Sequence, residues 1–309
     1  MKKIIDPLPR EILEAELTSD KFIRETNNIS NEIYSITHHD SPNLMREIGR
    51  LREISFRESG GGTGKEIDID FYDTKEKPYK QLIVWDPEEK EIIGGYRYFD
   101  CDSSTCVRDG FVDLSTAHLF NFSYKFIKEY LPYTIELGRS FVQPMYQSRQ
   151  MGKKALFALD NLWDGLGSLI VDNPNIKYFF GKITMYPTFN HEARDYILCF
   201  LQKYFEDKQD MVVPIKSLQY HGDIDIIKKE LSADNYKDDY KTLSQKVRNL
   251  GVNIPPLFNS YMNLSSSMLC FGTAINSEFG DVEETGIMIT IKDVYDAKSK
   301  RHVESYKKT

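Results

Sequence analysis

Charged side chains interrupt three apolar stretches of this sequence, where a buried charge needs a partner or a chemical purpose. Glu136 and Arg139 lie within the β-rich stretch TIELGRSFV, and Arg97 lies within GGYRYF. Three aspartates crowd the segment IDIDFYD, namely Asp68, Asp70 and Asp73. Such a cluster can accept a proton from an amine and bind a carboxylate, or it can simply neutralise itself as structural ion pairs. Composition alone favours neither interpretation.

The spacing of Glu136 and Arg139 bears on this choice. Two residues three positions apart on a regular strand point to opposite faces of a sheet. Gly138 lies between them, and a glycine inside a strand is typical of a β-bulge, which re-aims a side chain. A bulge there would bring both charges to one face and admit a ligand to the sheet.

Three other motifs give weaker signals. The loop Ser59–Lys65 ends in Gly-Thr-Gly-Lys, as a phosphate-binding loop does. However, Ser59 stands where such a loop needs a glycine, and Glu66 stands where it needs a hydroxyl side chain. We therefore predict only a mobile loop. Cys101 and Cys106 lack a second Cys or His pair, so no metal site is predicted. The chain has no Gly-x-Ser-x-Gly, and a hydrolase triad is therefore unsupported.

Hydrophobic periodicity predicts the elements that must hold the charged groups. Helical spacing occurs over 41–56, with Ser41 as its cap, over 152–171 and over 191–205. The runs QLIVW and IIGGYRYF flank the turn DPEEKE and predict an antiparallel hairpin. Further strands are predicted at YTIELGRSFVQ, KYFFGKITMY, MLCFGTAI and TGIMITI. This order predicts a mixed α/β fold whose hairpin-built sheet receives a crossover helix after its central strand.

The domain organisation follows from shifts in composition. Residues 1–40 are predicted to form an N-terminal helical arm, because PREILEAEL and DKFIRETNN have helical composition. Residues 41–309 form the main domain. Within it, residues 206–256 are rich in Lys and Asp and are predicted to be a helical insertion.

The whole-chain composition excludes several classes of protein. The 309 residues are 40% hydrophobic, which is globular, and the net charge of −7 gives no general attraction for nucleic acid. No window approaches 18 consecutive apolar residues, and the N-terminus lacks the apolar stretch of a signal peptide. With only four cysteines, we expect a cytoplasmic protein with reduced thiols.

The charged segments carry a resemblance to a known family. LREISF, IDIDFYD, GGYR and ELGRSFV together resemble the branch of GNAT acyltransferases that depends on acyl carrier protein. That branch contains acyl-homoserine lactone synthases and the N-acyltransferases of ornithine and glycine lipids. The similarity extends from about Leu44 to Tyr186, and ELGRSFV followed by Pro144 and Tyr146 is its most specific part. Downstream, IPPLFNSYMNL and FGTAINSEFG are similar to the amino-acid-lipid members, also called hemolysin-like proteins.

The resemblance implies a GNAT-like fold, in which a splayed mixed sheet flanked by helices holds a thioester between its central strands. It implies a charged cluster beside the acyl donor, formed by Arg52, Asp70, Asp73, Arg97, Glu136 and Arg139, with Ser140 next to them on the catalytic strand. Phe56 would line the acceptor pocket. The residues implied for the donor are Val142, Arg149, Gly152, Lys153 and Lys154. Lys154 departs from the family pattern, which has a small residue at that position.

The implied reaction is N-acylation in amino-acid lipid biosynthesis. A long 3-hydroxylated acyl group passes from the phosphopantetheine thioester of acyl carrier protein, or from coenzyme A, to the amine of glycine or ornithine. Glu136 would accept the amine's proton, and backbone amides of its strand would stabilise the oxyanion. Arg52 or Arg97 would bind the acceptor's carboxylate, with Asp70 and Asp73 orienting that arginine. No permanently bound cofactor and no metal is implied.

The expected partners are therefore acyl carrier protein and a small amino acid, with no nucleic acid. A lipid product makes peripheral contact with the inner face of the membrane chemically sensible. Three alternatives stay open at this point: an acetyl-CoA-dependent GNAT acetyltransferase, an acyl-homoserine-lactone-type synthase and a non-catalytic hemolysin-like protein.

Overall fold

A computed structural model describes residues 1–102, 106–108 and 111–307, and of Arg149 it describes the backbone only. The α-helices are α1 (Arg10–Ala15), α2 (Pro42–Glu58), α3 (Phe71–Thr74), α4 (Lys153–Asp172), α5 (His191–Phe205), α6 (Ile224–Glu230), α7 (Tyr236–Asn249), α8 (Pro256–Met262) and α9 (Asp296–His302). The strands are β1 (Phe22–Glu25), β2 (Glu32–Ile36), β3 (Lys80–Asp86), β4 (Glu91–Asp100), β5 (Val107–Arg108), β6 (Phe111–Val112), β7 (Phe120–Phe122), β8 (Thr134–Val142), β9 (Tyr178–Met185), β10 (Val212–Pro214), β11 (Leu269–Asn276) and β12 (Val282–Thr290).

The chain divides into two compact units. The first comprises residues 1–101, 133–177 and 295–309, and the second comprises residues 102–132 and 178–294. The helices and strands predicted from periodicity are confirmed in both units, and so is the mixed α/β class. The division into an arm and a main domain at residue 40 stays a prediction.

In the first unit, β1, β2, β3, β4 and β8 pair in that order, and every pair is antiparallel. Helices α2 and α4 lie on opposite faces of these strands. Gln81 on β3 contacts α2, and the next residue, Leu82, faces α4. Gly165 allows α4 this close approach, because a Cβ there would lie 2.6 Å from the Leu82 side chain.

The first 40 residues differ in two ways from the prediction. The segment predicted as a second arm helix contains strand β1 instead, because pairing with β2 satisfies its backbone in a way that local propensity does not reveal. The α2 helix begins after Ser41, but that side chain makes no capping hydrogen bond. The Glu16 carboxylate accepts hydrogen bonds from the Asn43 and Leu44 amides instead, at 3.1 and 2.8 Å, so the arm caps the helix.

In the second unit, β9, β12 and β11 form an antiparallel set, and β7 pairs with β10. Helix α5 packs on β11 and on the helices α6 and α7. The insertion predicted over 206–256 does contain these two helices, but it also contains strand β10, which pairs with distant β7. Among the described residues, no helix is both long and apolar enough to cross a membrane.

Candidate active site

The loop that follows α2 brings the aspartates to the sheet. The Asp68 amide donates to the Gly49 carbonyl at 2.9 Å, which holds the loop directly against the helix. Glycine is required at position 49 because a Cβ there would lie 2.8 Å from Cγ1 of Ile69 and 3.3 Å from the Asp68 carbonyl oxygen. The Gly-rich beginning of this loop, predicted to be mobile, is bound by the buried Glu53 carboxylate, which accepts hydrogen bonds from the amides of Thr63 and Gly64.

Helix α3 fixes the next two carboxylates. Asp70 accepts hydrogen bonds from the amides of Tyr72 and Asp73, at 2.9 and 3.2 Å, and the Asp73 side chain accepts from the Asp70 amide at 3.1 Å. This reciprocal capping box immobilises both side chains. Asp70 and Asp73 therefore face the sheet as a rigid pair.

A β-bulge in β8 places the arginines. Gly95 of β4 pairs with Phe141, and Arg97 pairs with Gly138, so Arg139 and Ser140 both lie opposite one residue of β4. Arg139 has a left-handed backbone with φ 48°, which is costly for a side chain with a Cβ. The bulge expected at Gly138 is thus present, and its extra residue follows that glycine. As a result Arg97 and Arg139 both reach the same carboxylate oxygen of Asp70, at 2.6 and 3.6 Å.

The charged groups form a continuous buried network. Arg52 bonds to Asp73 at 3.5 Å and to Gln81, and Arg97 also bonds to Asp73 at 3.4 Å. Arg139 bonds to Asp68 at 2.8 Å. The side chains of Arg52 and Arg97 are 1% and 3% exposed, whereas that of Arg139 is 13% exposed. Of the three arginines, Arg139 is therefore the one most open to a ligand.

The pKa values in the network shift in different directions. Burial raises the pKa of Asp68, and the nearby Arg139 offsets only part of that effect. Burial also acts to raise the pKa of Asp70, but Arg97 and Arg139 outweigh it and lower that pKa. Burial lowers the pKa of Arg52. Asp70 is therefore held ionised, while Asp68 is protonated more easily than an exposed aspartate.

Glu136 is joined to this network through the side chain of one tyrosine, Tyr79. Its buried carboxylate accepts a hydrogen bond from the Tyr79 hydroxyl, and burial together with Glu136 raises the pKa of that tyrosine. The Tyr79 ring lies 5.1 Å from the guanidinium carbon of Arg97 and stacks on Phe99 at 4.6 Å. Phe56 is buried one turn after Arg52 on α2. The structure thus brings Arg52, Asp70, Asp73, Arg97 and Arg139 together, with Glu136 joined to them through Tyr79.

The residues predicted for the acyl donor follow β8. Val142 is the last residue of that strand, and Gly152 precedes α4 with φ 53°. Lys153 is exposed, but the ammonium of Lys154 is already bonded to Asp86 and Glu88, each at 2.9 Å, and to Glu89. The side chain of Arg149 lies outside the described residues. These donor residues stay predictions.

Sequence reasoning missed Tyr79, Gln81 and Asp86. Gln81 carried a weak signal, since it is the one polar residue of the run QLIVW within β3. Tyr79 and Asp86 carried none, because their partners come from β8 and from residues that follow it. In the described part of the chain, no cluster of side chains fits a metal ion, and all four cysteines are buried.

The lowered pKa of Asp70 gives a testable dependence on pH. A carboxyl whose pKa is lower in the folded than in the unfolded state stabilises the fold above about pH 4, and this stabilisation is lost as the pH falls through its folded pKa. Asp70→Asn keeps the helix cap but removes the titrating group. We expect the unfolding free energy of the wild type to fall more steeply than that of the variant below about pH 4, measured by urea denaturation. Parallel curves would contradict the role of Arg97 and Arg139 at Asp70.

Comparisons with known proteins bear on the fold and the chemistry. Residues 51–156 match the model described as an acetyltransferase (GNAT) domain, and that range contains every residue predicted for the site. The glycine N(alpha)-acyltransferase of Phocaeicola vulgatus is 58% identical over 308 residues, which is 100% of this chain and 94% of that protein. The glycine N(alpha)-acyltransferase of Bacteroides thetaiotaomicron is 55% identical over 306 residues, covering 99% and 91%. The solved CoA-dependent acyl-homoserine lactone synthase BjaI, with SAM and isopentyl-CoA, is 19% identical, covering 53% of this chain and 72% of that one at a TM-score of 0.34.

Proposed function

The chain belongs to the family of these glycine N(alpha)-acyltransferases, and we propose that it transfers a long acyl group from a carrier-bound thioester to the amine of glycine. The GNAT domain and the relatives make it an acyltransferase that acts on an amine. The likeness to both relatives over almost the whole chain is the observation that carries the proposal. Because both relatives are named for glycine, we choose glycine over ornithine as the acceptor.

The chemistry that we propose follows from the geometry of β8. The glycine amine loses a proton, which water carries to the buried Glu136, and attacks the thioester carbonyl carbon. A C–N bond forms, the C–S bond breaks, and the carrier thiol leaves with a proton. A bulge leaves backbone groups outside the ladder, so we assign the amides of Arg139 and Ser140 to the developing oxyanion.

The acceptor's carboxylate needs a cation that a ligand can reach. The sequence pointed to Arg52 or Arg97, but the guanidinium groups of both are buried and bonded to Asp73. Arg139 is more exposed and lies on the bulged strand beside the proposed reacting groups. We therefore assign the glycine carboxylate to Arg139, with Arg52 and Arg97 holding the aspartates in place.

The donor is proposed to be the 3-hydroxyacyl thioester of acyl carrier protein, with acyl-CoA as the competing form. Val142, Arg149, Gly152 and Lys153 are assigned to the phosphopantetheine arm that both donors share. The product would have a charged head and a long chain, and we propose that it is released during peripheral contact with a membrane.

Mass spectrometry of the products tests this function. Purified protein would receive the 3-hydroxyacyl group on acyl carrier protein or on coenzyme A, together with glycine, ornithine, serine or no acceptor. We expect N-acylglycine only when glycine is present, and faster formation from the carrier-bound donor. A product with ornithine alone would overturn the acceptor, and acetyl transfer from acetyl-CoA alone would make the protein a conventional acetyltransferase.

A further inference from the structure

A carboxylate outside the charged network joins three parts of the first unit. Asp86, the buried last residue of β3, accepts a hydrogen bond from the Tyr146 hydroxyl at 2.9 Å. It also bonds to the ammonium of Lys154 at 2.9 Å and accepts from the amides of Glu88 and Glu89 at 3.0 and 3.2 Å. Its partners therefore come from the β3–β4 turn, from the turn after β8 and from the first turn of α4.

The same hairpin also holds the start of the segment between β8 and α4. The Gln143 amide donates to the Ile93 carbonyl at 2.9 Å, and the Gln143 side chain donates to the Ile92 carbonyl. Tyr146, the fourth residue of this segment, is fully buried. Segment 143–154 is consequently attached to the β3–β4 hairpin at residues 143, 146 and 154.

The ammonium of Lys154 attracts another anion only weakly, because carboxylates already surround it. Three carboxylates, those of Asp86, Glu88 and Glu89, lie within 3.2 Å of its ammonium. Their combined effect outweighs burial and raises the pKa of Lys154, so the ammonium stays charged. Burial acts to raise the pKa of Asp86, but Lys154, the Glu89 amide and Tyr146 outweigh it and lower that pKa. Asp86 and Lys154 are thus both charged at neutral pH, and each already bonds to a group of opposite charge within the attachment.

We infer that Asp86 is a positioning residue for the acyl donor, and that Tyr146 and Lys154 act with it to hold the donor-binding segment in place. This inference rests on the proposed function, in which residues from Val142 to Lys153 contact the phosphopantetheine arm. It changes the role of Lys154 from binding the donor to fixing the backbone that binds it. Because a misplacement of about 1 Å in a binding segment can cost about 100-fold in rate, such an anchor controls productive donor binding.

The inference predicts an effect on the donor alone. We expect Asp86→Asn and Lys154→Met each to raise KM for the acyl-carrier donor by about tenfold or more, with KM for glycine and kcat changed less than about twofold. Tyr146→Phe should have a smaller effect in the same direction, because it removes one hydrogen bond and no charge. Lys154→Arg should recover part of the loss, since it retains a cation at the same place.

An ion pair between α1 and the same hairpin gives the matched control. Glu14 bonds to Lys90 in the β3–β4 turn, but both side chains are nearly half exposed and neither contacts segment 143–154 in the described structure. Glu14→Gln should therefore leave both KM values unchanged. Circular dichroism and urea denaturation would show that every variant is folded under the assay conditions.

Direct binding separates this inference from the proposed function. Calorimetric titration of the wild type and Asp86→Asn with acyl-carrier donor, in the absence of any acceptor, should show binding that the variant weakens by about tenfold. If the wild type binds the donor but makes no acylglycine, the proposed acceptor is wrong. The role of Asp86 is then decided by the donor affinity of Asp86→Asn alone. Equal donor affinity of wild type and variant would overturn the inference, and so would equal losses in both KM values. If the wild type binds neither the acyl-carrier donor nor acyl-CoA, both this inference and the proposed donor site are wrong.

Discussion

Replacing Glu136 with glutamine is expected to lower kcat by about 10²- to 10⁴-fold, because the amine then lacks the carboxylate that takes its proton. The glutamine side chain has the same shape and can still accept a hydrogen bond from the Tyr79 hydroxyl, which Glu136 accepts in this structure. The fold should therefore persist, and binding of the acyl donor should change little. Steady-state kinetics with glycine, together with calorimetric titration of the donor, would measure both effects.

A variant at a second buried glutamate, Glu47, is the control for the effect of losing any buried carboxylate. Glu47 on α2 is also buried, but it bonds to Arg50 and to the Leu8 amide, away from β8. Glu47→Gln should reduce stability without lowering kcat of the folded enzyme. If Glu136→Gln keeps full activity, Glu136 is not the base, and the hydrogen bond from Tyr79 is structural.

The sequence was sufficient to predict the main helices and strands and most residues of the charged network. Local periodicity predicted α2, α4, α5 and the β3–β4 hairpin, since each rests on a pattern of about 20 residues or fewer. The bulge was also predictable, because Gly138 separates two charges that a regular strand would direct to opposite faces. What failed depended on partners outside the predicted segment itself: β1 is a strand because it pairs with β2, and α2 is capped by Glu16 of the arm.

The sequence predicted which residues form the site better than it predicted the role of each residue. Sequence placed Arg52, Arg97 and Arg139 in one cluster, but which guanidinium a ligand can reach depends on burial, and only Arg139 keeps appreciable exposure. Likewise, Lys154 stands at the expected place for a donor contact. Its three carboxylate partners come from a turn about 65 residues earlier, which spacing along the chain does not reveal.

Removing the side chain of Arg97 is expected to cost about 3 to 5 kcal/mol of unfolding free energy. Its guanidinium bonds to Asp70 at 2.6 Å and to Asp73 at 3.4 Å. Arg97→Met would leave Asp73, which is fully buried, with Arg52 as its only cationic partner among the described residues, beside a second carboxylate. Urea denaturation at pH 7 would measure the loss, and Arg10→Ala, which breaks the pair with Glu91 at the surface, should cost less than about 1 kcal/mol.

A double variant would show whether the network serves the scaffold or the site. Arg97→Met leaves two arginines facing Asp68, Asp70 and Asp73, and adding Asp73→Asn removes the carboxylate in excess, so part of the lost stability should return as a coupling between the two changes. If the network serves only the scaffold, kcat and KM for glycine, measured per folded molecule, should equal those of the wild type. If it positions Asp70 and Arg139 for the acceptor, the stabilised double variant should still have a raised KM for glycine, because the contact between Arg97 and Asp70 stays broken. A loss below about 1 kcal/mol in Arg97→Met would contradict the premise that this buried pair stabilises the fold.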